Sequence, residues 1–240
     1  MSAKQAKDYT DINGILAVDK PEGPTSHDIV DFVRRKFRIK KVGHAGTLDP
    51  MATGLLILLL GSSTKLSGRF SGDDKEYVGM MTLGARTDTG DRYGKVICRN
   101  GSRSDIDRST IEKTIMEFTG FIEQVPPAYS ALKHKGEPLY KYARKGIEIK
   151  KESRKIEIKR FDILDYSYPD LRFKVFCSKG TYVRKLCDDI GERLGCGGHL
   201  SGLRRTRSGR FAIDGAVRFD VLKDIGIELL RAYIHDDYAY

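Results

Sequence analysis

The chain has 240 residues, of which 40% are hydrophobic, and it carries a formal net charge of +10. This length allows one large domain or two small ones, with a sizeable core that needs no disulfide or metal crosslinks. The positive charge favours a polyanionic partner, either a nucleic acid or an anionic membrane surface. A membrane span is excluded, because the longest apolar run, Leu55–Leu60, is far too short to cross a bilayer.

The cysteines and the N-terminus indicate the compartment. Cys98, Cys177, Cys187 and Cys196 form no C-x-x-C pair and have no histidine cluster beside them, which argues against a zinc site. The first residues, MSAKQAKDYTD, are polar and do not form a signal peptide. We therefore expect a cytoplasmic protein with reduced thiols, no bound metal and no membrane attachment.

The first part of the chain predicts two buried strands with a helix between them. Residues 1–13 look like a flexible lead-in, and GILAVDK (Gly14–Lys20) is typical of a buried strand. Thr25 or Ser26 is predicted to cap a helix, which presents one apolar face and one basic face. The glycine-rich loop VGHAGTLDPMATG (Val42–Gly54) then leads into LLILLLG, whose continuous apolar character indicates a central strand buried on both faces.

The middle of the chain continues with a strand, a loop, a helix and an excursion. KEYVGMMTLG (Lys75–Gly84) alternates as a strand does, and the polar segment ARTDTGDRYGK after it is predicted as a loop. The spacing of Ile111, Ile115 and Phe118 marks a second helix. The segment Gln124–Gly146, rich in Pro, Lys, Arg and Tyr, looks like an excursion from the core.

The last part of the chain predicts antiparallel strands followed by helices. RKIEIKRFDIL and LRFKVFCSKG alternate and are expected to pair, and TYVRKLCDDIGERLG is predicted as an amphipathic helix ended by Gly195. A last short helix is expected near Phe219–Ala232. Strands and helices without regular βαβ alternation indicate an α+β fold.

Asp49 is the first candidate for chemistry, and two readings stay open. A residue before proline is held in an extended conformation, and the glycines of the loop allow tight turns, so Asp49 can be presented in a fixed pose. Alternatively, Asp49 bonds its own loop backbone in an Asx-type turn. No second carboxylate has the spacing of a glycosidase-like acid–base pair.

Other polar residues have a functional and an ordinary reading. His44 can stack on a base, or it can simply form a hydrogen bond within its loop. Tyr182 and Arg184 lie two positions apart near a helix start. Arg184 can keep a buried aspartate ionised, whereas a surface arginine is the default reading.

Basic residues fall into three groups that together favour binding to a phosphate backbone. The groups lie at 34–41, at 141–159 with interleaved tyrosines, and at 204–210. Any one group is typical of a solvated face, but three groups with tyrosines favour a nucleic acid. The expected contacts to the RNA backbone are Arg34, Arg35, Lys141, Arg144, Lys145, Arg204 and Arg205.

Six segments, in this order, resemble the TruB-type pseudouridine synthases, which make the pseudouridine of the tRNA TΨC loop. They are GILAVDKPEGPTSHDIV, GHAGTLDPMATG, KEYVGMMTLGARTDTGDRYG, QVPPAYSALKHKGEPLYKYARKG, CSKGTYVRKLCDDIG and HLSGLRRTRSG. The resemblance covers about residues 13–220, and several long motifs in one order make it specific. HAGTLDPMATG is closer to the bacterial tRNA enzyme than to the guide-RNA-dependent archaeal and eukaryotic relatives.

The resemblance implies a role for each matching residue. Asp49 matches the essential aspartate, and His44 matches the histidine that helps to displace the target nucleotide. Tyr77 matches the tyrosine that packs on the flipped uracil, and Tyr182 and Arg184 match a uridine-pocket tyrosine and the arginine that pairs with the aspartate. Leu203 matches a pocket leucine. Lys20 and Pro21 match the family's first motif, for which a structural role is expected.

The resemblance also implies a reaction, a fold and a domain plan. Uridine 55 of tRNA is isomerised by base flipping without cofactor or metal, and Asp49 acts either at C1′ or at C2′ of the ribose. The implied fold is the pseudouridine synthase fold, a largely antiparallel mixed sheet flanked by helices, over residues 14–240. A thumb-like insertion is expected at about 122–152, mobile without RNA, and no C-terminal PUA-type domain is expected.

The expected partner is the T-arm stem-loop of tRNA, bound by a monomer. Two rivals stay open: a non-catalytic RNA-binding or RNA-folding module on the same scaffold, and a guide-RNA-dependent synthase that acts on ribosomal RNA.

Overall fold

The computed structural model describes residues 10–99 and 106–236, which divide into two compact units. Unit 1 combines the segment that ends at Lys75 with the segment that begins at Arg204, and unit 2 runs from Glu76 to Leu203. Most of the predicted lead-in, residues 1–13, lies outside the described residues. Within the described ranges, no helix has the length and apolarity required to cross a bilayer.

The elements follow one another in three stretches. The first stretch contains β1 (Gly14–Lys20), α1 (Ser26–Lys36), β2 (Val42–Ala45), β3 (Thr53–Leu60), a 3-10 helix (Gly61–Leu66) and α2 (Ser67–Ser71). The second contains β4 (Lys75–Leu83), β5 (Ala85–Thr87), β6 (Val96–Arg99), α3 (Arg108–Glu117), β7 (Gly120–Gln124), β8 (Lys133–His134), β9 (Glu137–Pro138), α4 (Leu139–Arg144), β10 (Arg154–Ser167), β11 (Asp170–Cys177) and α5 (Val183–Arg193). The third contains β12 (Gly198–Ser208), β13 (Phe211–Ala212), a 3-10 helix (Ile213–Gly215), β14 (Val217–Arg218), α6 (Phe219–Asp224), α7 (Ile227–Arg231) and β15 (Ile234–His235).

The sheet of unit 1 is mixed and has β3 in its middle. Its strands run in the order β14–β1–β3–β12, with β2 also paired to β3. The pairs β1–β3 and β2–β3 are antiparallel, whereas β12 joins β3 in parallel. Every side chain of Leu55–Leu60 is at most 1% exposed, which confirms the prediction of a central strand buried on both faces.

Helix α1 begins with the predicted cap. The Thr25 side chain accepts a hydrogen bond from the Asp28 amide, and the Asp28 carboxylate accepts one from the Thr25 amide. This capping box satisfies amides that the first turn of a helix leaves unpaired. Ile29, Val30 and Val33 form the buried face, as the apolar spacing predicts.

The sheet of unit 2 contains the predicted antiparallel pair. Its strands run in the order β12–β4–β11–β10–β7, and β10 pairs antiparallel with both β11 and β7. The rings of Phe161 and Phe173 stack with their centroids 4.9 Å apart. Helix α5 is followed by Gly195 at φ +73°, so the predicted glycine termination is confirmed.

Unit 2 also contains a close approach between α5 and the start of β12. A Cβ at Gly191 would lie 2.2 Å from the Gly198 amide nitrogen, which requires a residue without a side chain at position 191. Together the two units confirm the α+β fold class.

Three local predictions were wrong. The first residues of the predicted loop, Val42–Ala45, form strand β2, because their backbone groups pair with β3. The predicted helix at Phe219–Ala232 is two helices, since Ile225 is extended at ψ 152° and ends α6. The polar loop after β4 begins with strand β5, which pairs with β6.

Candidate active site

Asp49 lies in a short loop of unit 1 between β2 and β3. The loop starts at Gly46 and leads into β3, whose second residue is Gly54, and these glycines have φ values of +85° and +97°. These left-handed conformations suit glycine. The Ala52 amide donates to the Asp49 carbonyl at 3.0 Å, so a backbone hydrogen bond closes the turn that carries the half-buried carboxylate.

Groups from the start of α1 and the segment before it hold this loop on both sides of Asp49. The buried Ser26 hydroxyl accepts from the Leu48 amide at 2.8 Å and donates to the Leu48 carbonyl at 3.0 Å. The Gly23 amide donates to the Pro50 carbonyl at 2.9 Å. The residues on both sides of Asp49 are thus fixed by hydrogen bonds to one neighbouring segment.

Lys20 is a second support of the loop. Its side chain is 0% exposed, and Nζ donates to the carbonyls of Pro21 and Pro24 at 2.8 Å and to that of Pro50 at 3.5 Å. Burial lowers the pKa of Lys20 to about 8, although the negative charge of Asp49 opposes this shift. These contacts support the structural role expected for Lys20 and add an electrostatic interaction with the candidate catalytic carboxylate.

His44 lies on β2, directly before the Asp49 loop. Burial lowers the pKa of His44, and the positive charge of Arg205 lowers it further, so the imidazole is neutral at pH 7. Its Nδ1 atom is buried and has no hydrogen-bond partner within the described residues. A neutral imidazole is suited to stack on a base.

The adjacent arginines of β12 have different environments. The Arg204 side chain is 43% exposed and forms a bidentate ion pair with Asp19 at 3.0 and 2.7 Å. Arg205 is 1% exposed, and its guanidinium donates to the carbonyls of Leu55 and Gly46. The expected contact of Arg205 with an RNA phosphate is therefore corrected, since the two residues point to opposite faces of their strand and Arg205 points into the core.

Tyr182 and Arg184 lie at the start of α5 in unit 2. The Gln124 side chain accepts from the Tyr182 amide at 2.9 Å and donates to the Tyr182 carbonyl at 3.2 Å. Arg184 is 5% exposed and donates to the carbonyls of Thr89 and Tyr129, with its guanidinium carbon 5.8 Å from the centre of the Tyr182 ring. The default reading of Arg184 as a surface arginine was wrong.

The remaining pocket candidates also belong to unit 2. Tyr77 on β4 is 8% exposed, and Leu203 is half-buried on β12. The predicted pairing of Arg184 with Asp49 joins residues of different units and stays a prediction. Within unit 1 the structure brings together Lys20, His44, Asp49 and Arg205, and within unit 2 it brings together Tyr182 and Arg184.

The expected RNA-backbone residues outside β12 lie on exposed helix faces. On α1, Arg34 and Arg35 contact Asp31 at 2.8 and 3.4 Å. On α4, Lys141 contacts Glu137 at 3.6 Å, and the Arg144 guanidinium carbon lies 5.4 Å from the centre of the Tyr140 ring. Lys145, directly after α4, is exposed.

One group of carboxylates in the described ranges has the spacing of a metal site, namely Asp188, Asp189 and Glu192. Basic side chains form ion pairs with these carboxylates. Arg86 donates to Asp188 at 2.7 Å, and Lys185 donates to Asp188 at 3.0 Å and also to Asp189. This arrangement is a salt-bridge network on α5 that extends from the buried Asp188 to the exposed Glu192.

Sequence reasoning indicated Lys20 but missed two other supports of these residues, Ser26 and Gln124. Ser26 was considered only as a helix cap, and Gln124 only as the start of the excursion. Their contacts to Leu48 and Tyr182 connect distant parts of the chain, so no local pattern could have indicated them.

Curated relatives with one shared name cover most of the chain. Each is called tRNA pseudouridine synthase B. The relative from Francisella philomiragia is 43% identical over 95% of this chain and 76% of its own length. The relative from Clostridium tetani is 47% identical over 93% of this chain and 76% of its own length, and that from Burkholderia lata is 48% identical over 89% and 66%.

Solved structures and family models agree with these relatives. The chain matches a Cbf5–Nop10–Gar1 complex with a TM-score of 0.71 at 30% identity, covering 93% of this chain and 60% of that one. The archaeal box H/ACA sRNP Nop10–Cbf5 complex matches with a TM-score of 0.65 at 30% identity, covering 88% of this chain and 53% of that one. The chain thus spans little more than half the length of those solved chains.

The family model for the TruB family pseudouridylate synthase N-terminal domain matches residues 34–183. The model for the tRNA pseudouridylate synthase B C-terminal domain matches residues 184–236. The chain therefore belongs to the TruB family of pseudouridylate synthases.

Proposed function

We propose that this protein isomerises one uridine of the tRNA TΨC loop, uridine 55, to pseudouridine, with Asp49 as the catalytic carboxylate. One observation carries this proposal: in this member of the family, hydrogen bonds to a neighbouring segment hold the loop that contains Asp49. Leu48 and Pro50 are both held by hydrogen bonds to the segment 20–26. A carboxylate held in this way is suited to meet one position of a bound sugar, because a fixed geometry lowers the entropic part of the barrier.

The reaction moves the uracil ring between two bonds to the same carbon. The bond from N1 to C1′ breaks, the ring rotates, and a bond from C5 to C1′ forms. C5 loses a proton and N1 gains one, so no atom or electron is added and no cofactor is required. Asp49 acts either as a nucleophile at C1′ or as a base at C2′, and both routes need its ionised form.

The target uridine must leave its stack to reach Asp49. Aromatic faces compensate for lost stacking by about 1–3 kcal/mol per base, and we assign this role to Tyr77. His44, in its neutral form, is proposed to support the displaced nucleotide, and Tyr182 and Leu203 to line the uridine pocket. Arg184 is proposed to keep Asp49 ionised when RNA excludes water.

The grip on the rest of the T-arm is assigned to exposed cations. Arg34 and Arg35 on α1, the basic residues of α4, and Arg204 on β12 are proposed to contact phosphates of the RNA. A tRNA substrate favours the cytoplasm as the site of action, and we expect a monomer to bind it.

Pseudouridine mapping on unmodified tRNA tests the proposal. The tRNA is incubated without any guide RNA with the wild type or with Asp49→Asn, which keeps the shape of the side chain but removes its charge. We expect product at position 55 with the wild type and none with the variant, although both bind tRNA. Equal product from both proteins would overturn the role of Asp49. No product from the wild type would favour the idle RNA-binding module or the guide-RNA-dependent relative.

A further inference from the structure

Arg205 is one of the largest fully buried side chains of the described residues. It lies on β12, where its backbone is opposite Gly54 in the parallel pair with β3, and it is 1% exposed. Burying a guanidinium is expensive unless its donors find acceptors. Its hydrogen bonds therefore indicate what this buried cation holds.

The two hydrogen bonds of Arg205 connect the two ends of the Asp49 loop. Nε donates to the carbonyl of Leu55, at the start of the buried strand, at 2.7 Å. A terminal guanidinium nitrogen donates to the carbonyl of Gly46, at the start of the loop, at 3.0 Å. Asp49 lies between these positions, so the rigid guanidinium plane closes the loop at its base.

Gly54 fits closely against Arg205, and Gly46 lies in ordinary contact with the same residue. A Cβ at Gly54 would lie 2.3 Å from the Arg205 carbonyl oxygen and 2.8 Å from its amide nitrogen. A Cβ at Gly46 would lie 3.4 Å from a guanidinium nitrogen. The loop is thus packed on the backbone of Arg205 at one end and on its side chain at the other.

We infer that Arg205 is a positioning residue of the isomerisation, which fixes the Asp49 carboxylate by joining Gly46 to Leu55. This inference rests on the proposed function of Asp49. Arg205 does not touch the substrate and acts through the loop backbone. Arginine suits this task because its planar fork offers several fixed donors, whereas a lysine ammonium is a single point at the end of a flexible stem.

The inference separates the binding of RNA from the rate of the chemical step. A misplacement of the reacting group by about 1 Å costs about 100-fold in rate. Arg205→Lys keeps the positive charge but cannot reproduce both planar hydrogen bonds. We expect its single-turnover rate at saturating tRNA to fall about 10- to 100-fold, with a dissociation constant for tRNA within about twofold of the wild type.

The experiment compares the full chain in four forms under single-turnover conditions: wild type, Arg205→Lys, Asp49→Asn and Leu230→Ala. Leu230 is fully buried on α7, so Leu230→Ala lowers stability without touching the loop and serves as the control for destabilisation. Its rate should stay at the wild-type value below its melting temperature. Hydrogen exchange gives a second readout: in Arg205→Lys the Ala52 amide should exchange faster, while amides of β1 keep their protection.

Three outcomes would overturn the inference or redirect it. A rate for folded Arg205→Lys within twofold of the wild type overturns it while leaving Asp49 intact, provided Asp49→Asn is inactive. An unchanged rate at saturation with weaker binding makes Arg205 an RNA contact instead. If Asp49→Asn keeps the wild-type rate, the proposed function itself fails. Should Arg205→Lys not fold, Arg205→Gln, which still donates to one carbonyl, is judged by the same criteria.

Discussion

Lys20 places a titratable amine in the core beside the loop that carries Asp49. In the fold, three carbonyl groups take the place of the water that would hydrate the Lys20 ammonium. The negative charge of Asp49 favours the charged form of Lys20. Burial still has the largest effect on the pKa of Lys20, because carbonyl dipoles compensate only part of the lost hydration of an ammonium. The residue therefore holds the loop at the expense of stability near neutral pH.

This environment predicts a specific dependence of stability on pH. The pKa of Lys20 is about 8 in the folded protein and 10.5 without the fold, so the unfolded chain binds more protons between these values. The free energy of unfolding should therefore rise with pH across this range, by up to about 3 kcal/mol. Below pH 8 the penalty is fully present, since both states are protonated.

Chemical denaturation of the wild type and Lys20→Met at several pH values between 8 and 10.5 measures this contribution. The difference in the free energy of unfolding between the two proteins should change with pH in favour of the wild type. A constant difference across the range would show that Lys20 does not titrate with a lowered pKa.

At the scale of elements, helix α1 shows which parts of the site a sequence can predict. The cap at Thr25, the apolar face and the basic face follow from local spacing, and the structure confirms the cap and the buried face. The hydrogen bonds of Ser26 to Leu48 do not follow, because they depend on where β2 and β3 place the loop. A pattern within one helix contains no information on that position.

Strand β12 is a second part of the site whose side-chain environments the sequence could not predict. Arg204 and Arg205 are chemically identical in the sequence, and both were expected to contact RNA. Only the pairing of β12 with β3 decides that one faces Asp19 and is partly exposed, while the other is buried beneath the Asp49 loop. The family resemblance indicated Asp49 and a structural role for Lys20, but the contacts of Ser26 and Arg205 with the loop became visible only in the fold.

A further prediction concerns helix α4, which lies in the predicted excursion after β7. Its exposed cations, Lys141 and Arg144, and the adjacent Lys145 are proposed to grip the RNA backbone. Reversing all three charges to Glu should weaken tRNA binding about 10- to 100-fold at physiological salt. Filter binding measures the dissociation constant, and Lys113→Glu, at an exposed position of α3, gives the effect of one reversed charge elsewhere. An affinity of the triple variant equal to that of the wild type would exclude this segment from the grip.

For the whole molecule, the net charge of +10 can promote RNA binding in two ways. Binding driven by the overall field depends on the sum of charges and is insensitive to where a charge is removed. Binding through phosphate contacts depends on particular residues, each of which releases counterions on association. The salt dependence of the dissociation constant separates the two.

The slope of log K against log salt falls by about 0.7–0.9 for each phosphate contact removed. Arg35→Gln on α1 should reduce the slope by this amount, because the side chain is 76% exposed and is proposed to contact the backbone. Arg231→Gln on α7, an arginine that is also exposed and close to a carboxylate, should leave the slope unchanged. Equal reductions for both variants would mean that the overall charge, and not the basic face of α1, attracts the tRNA.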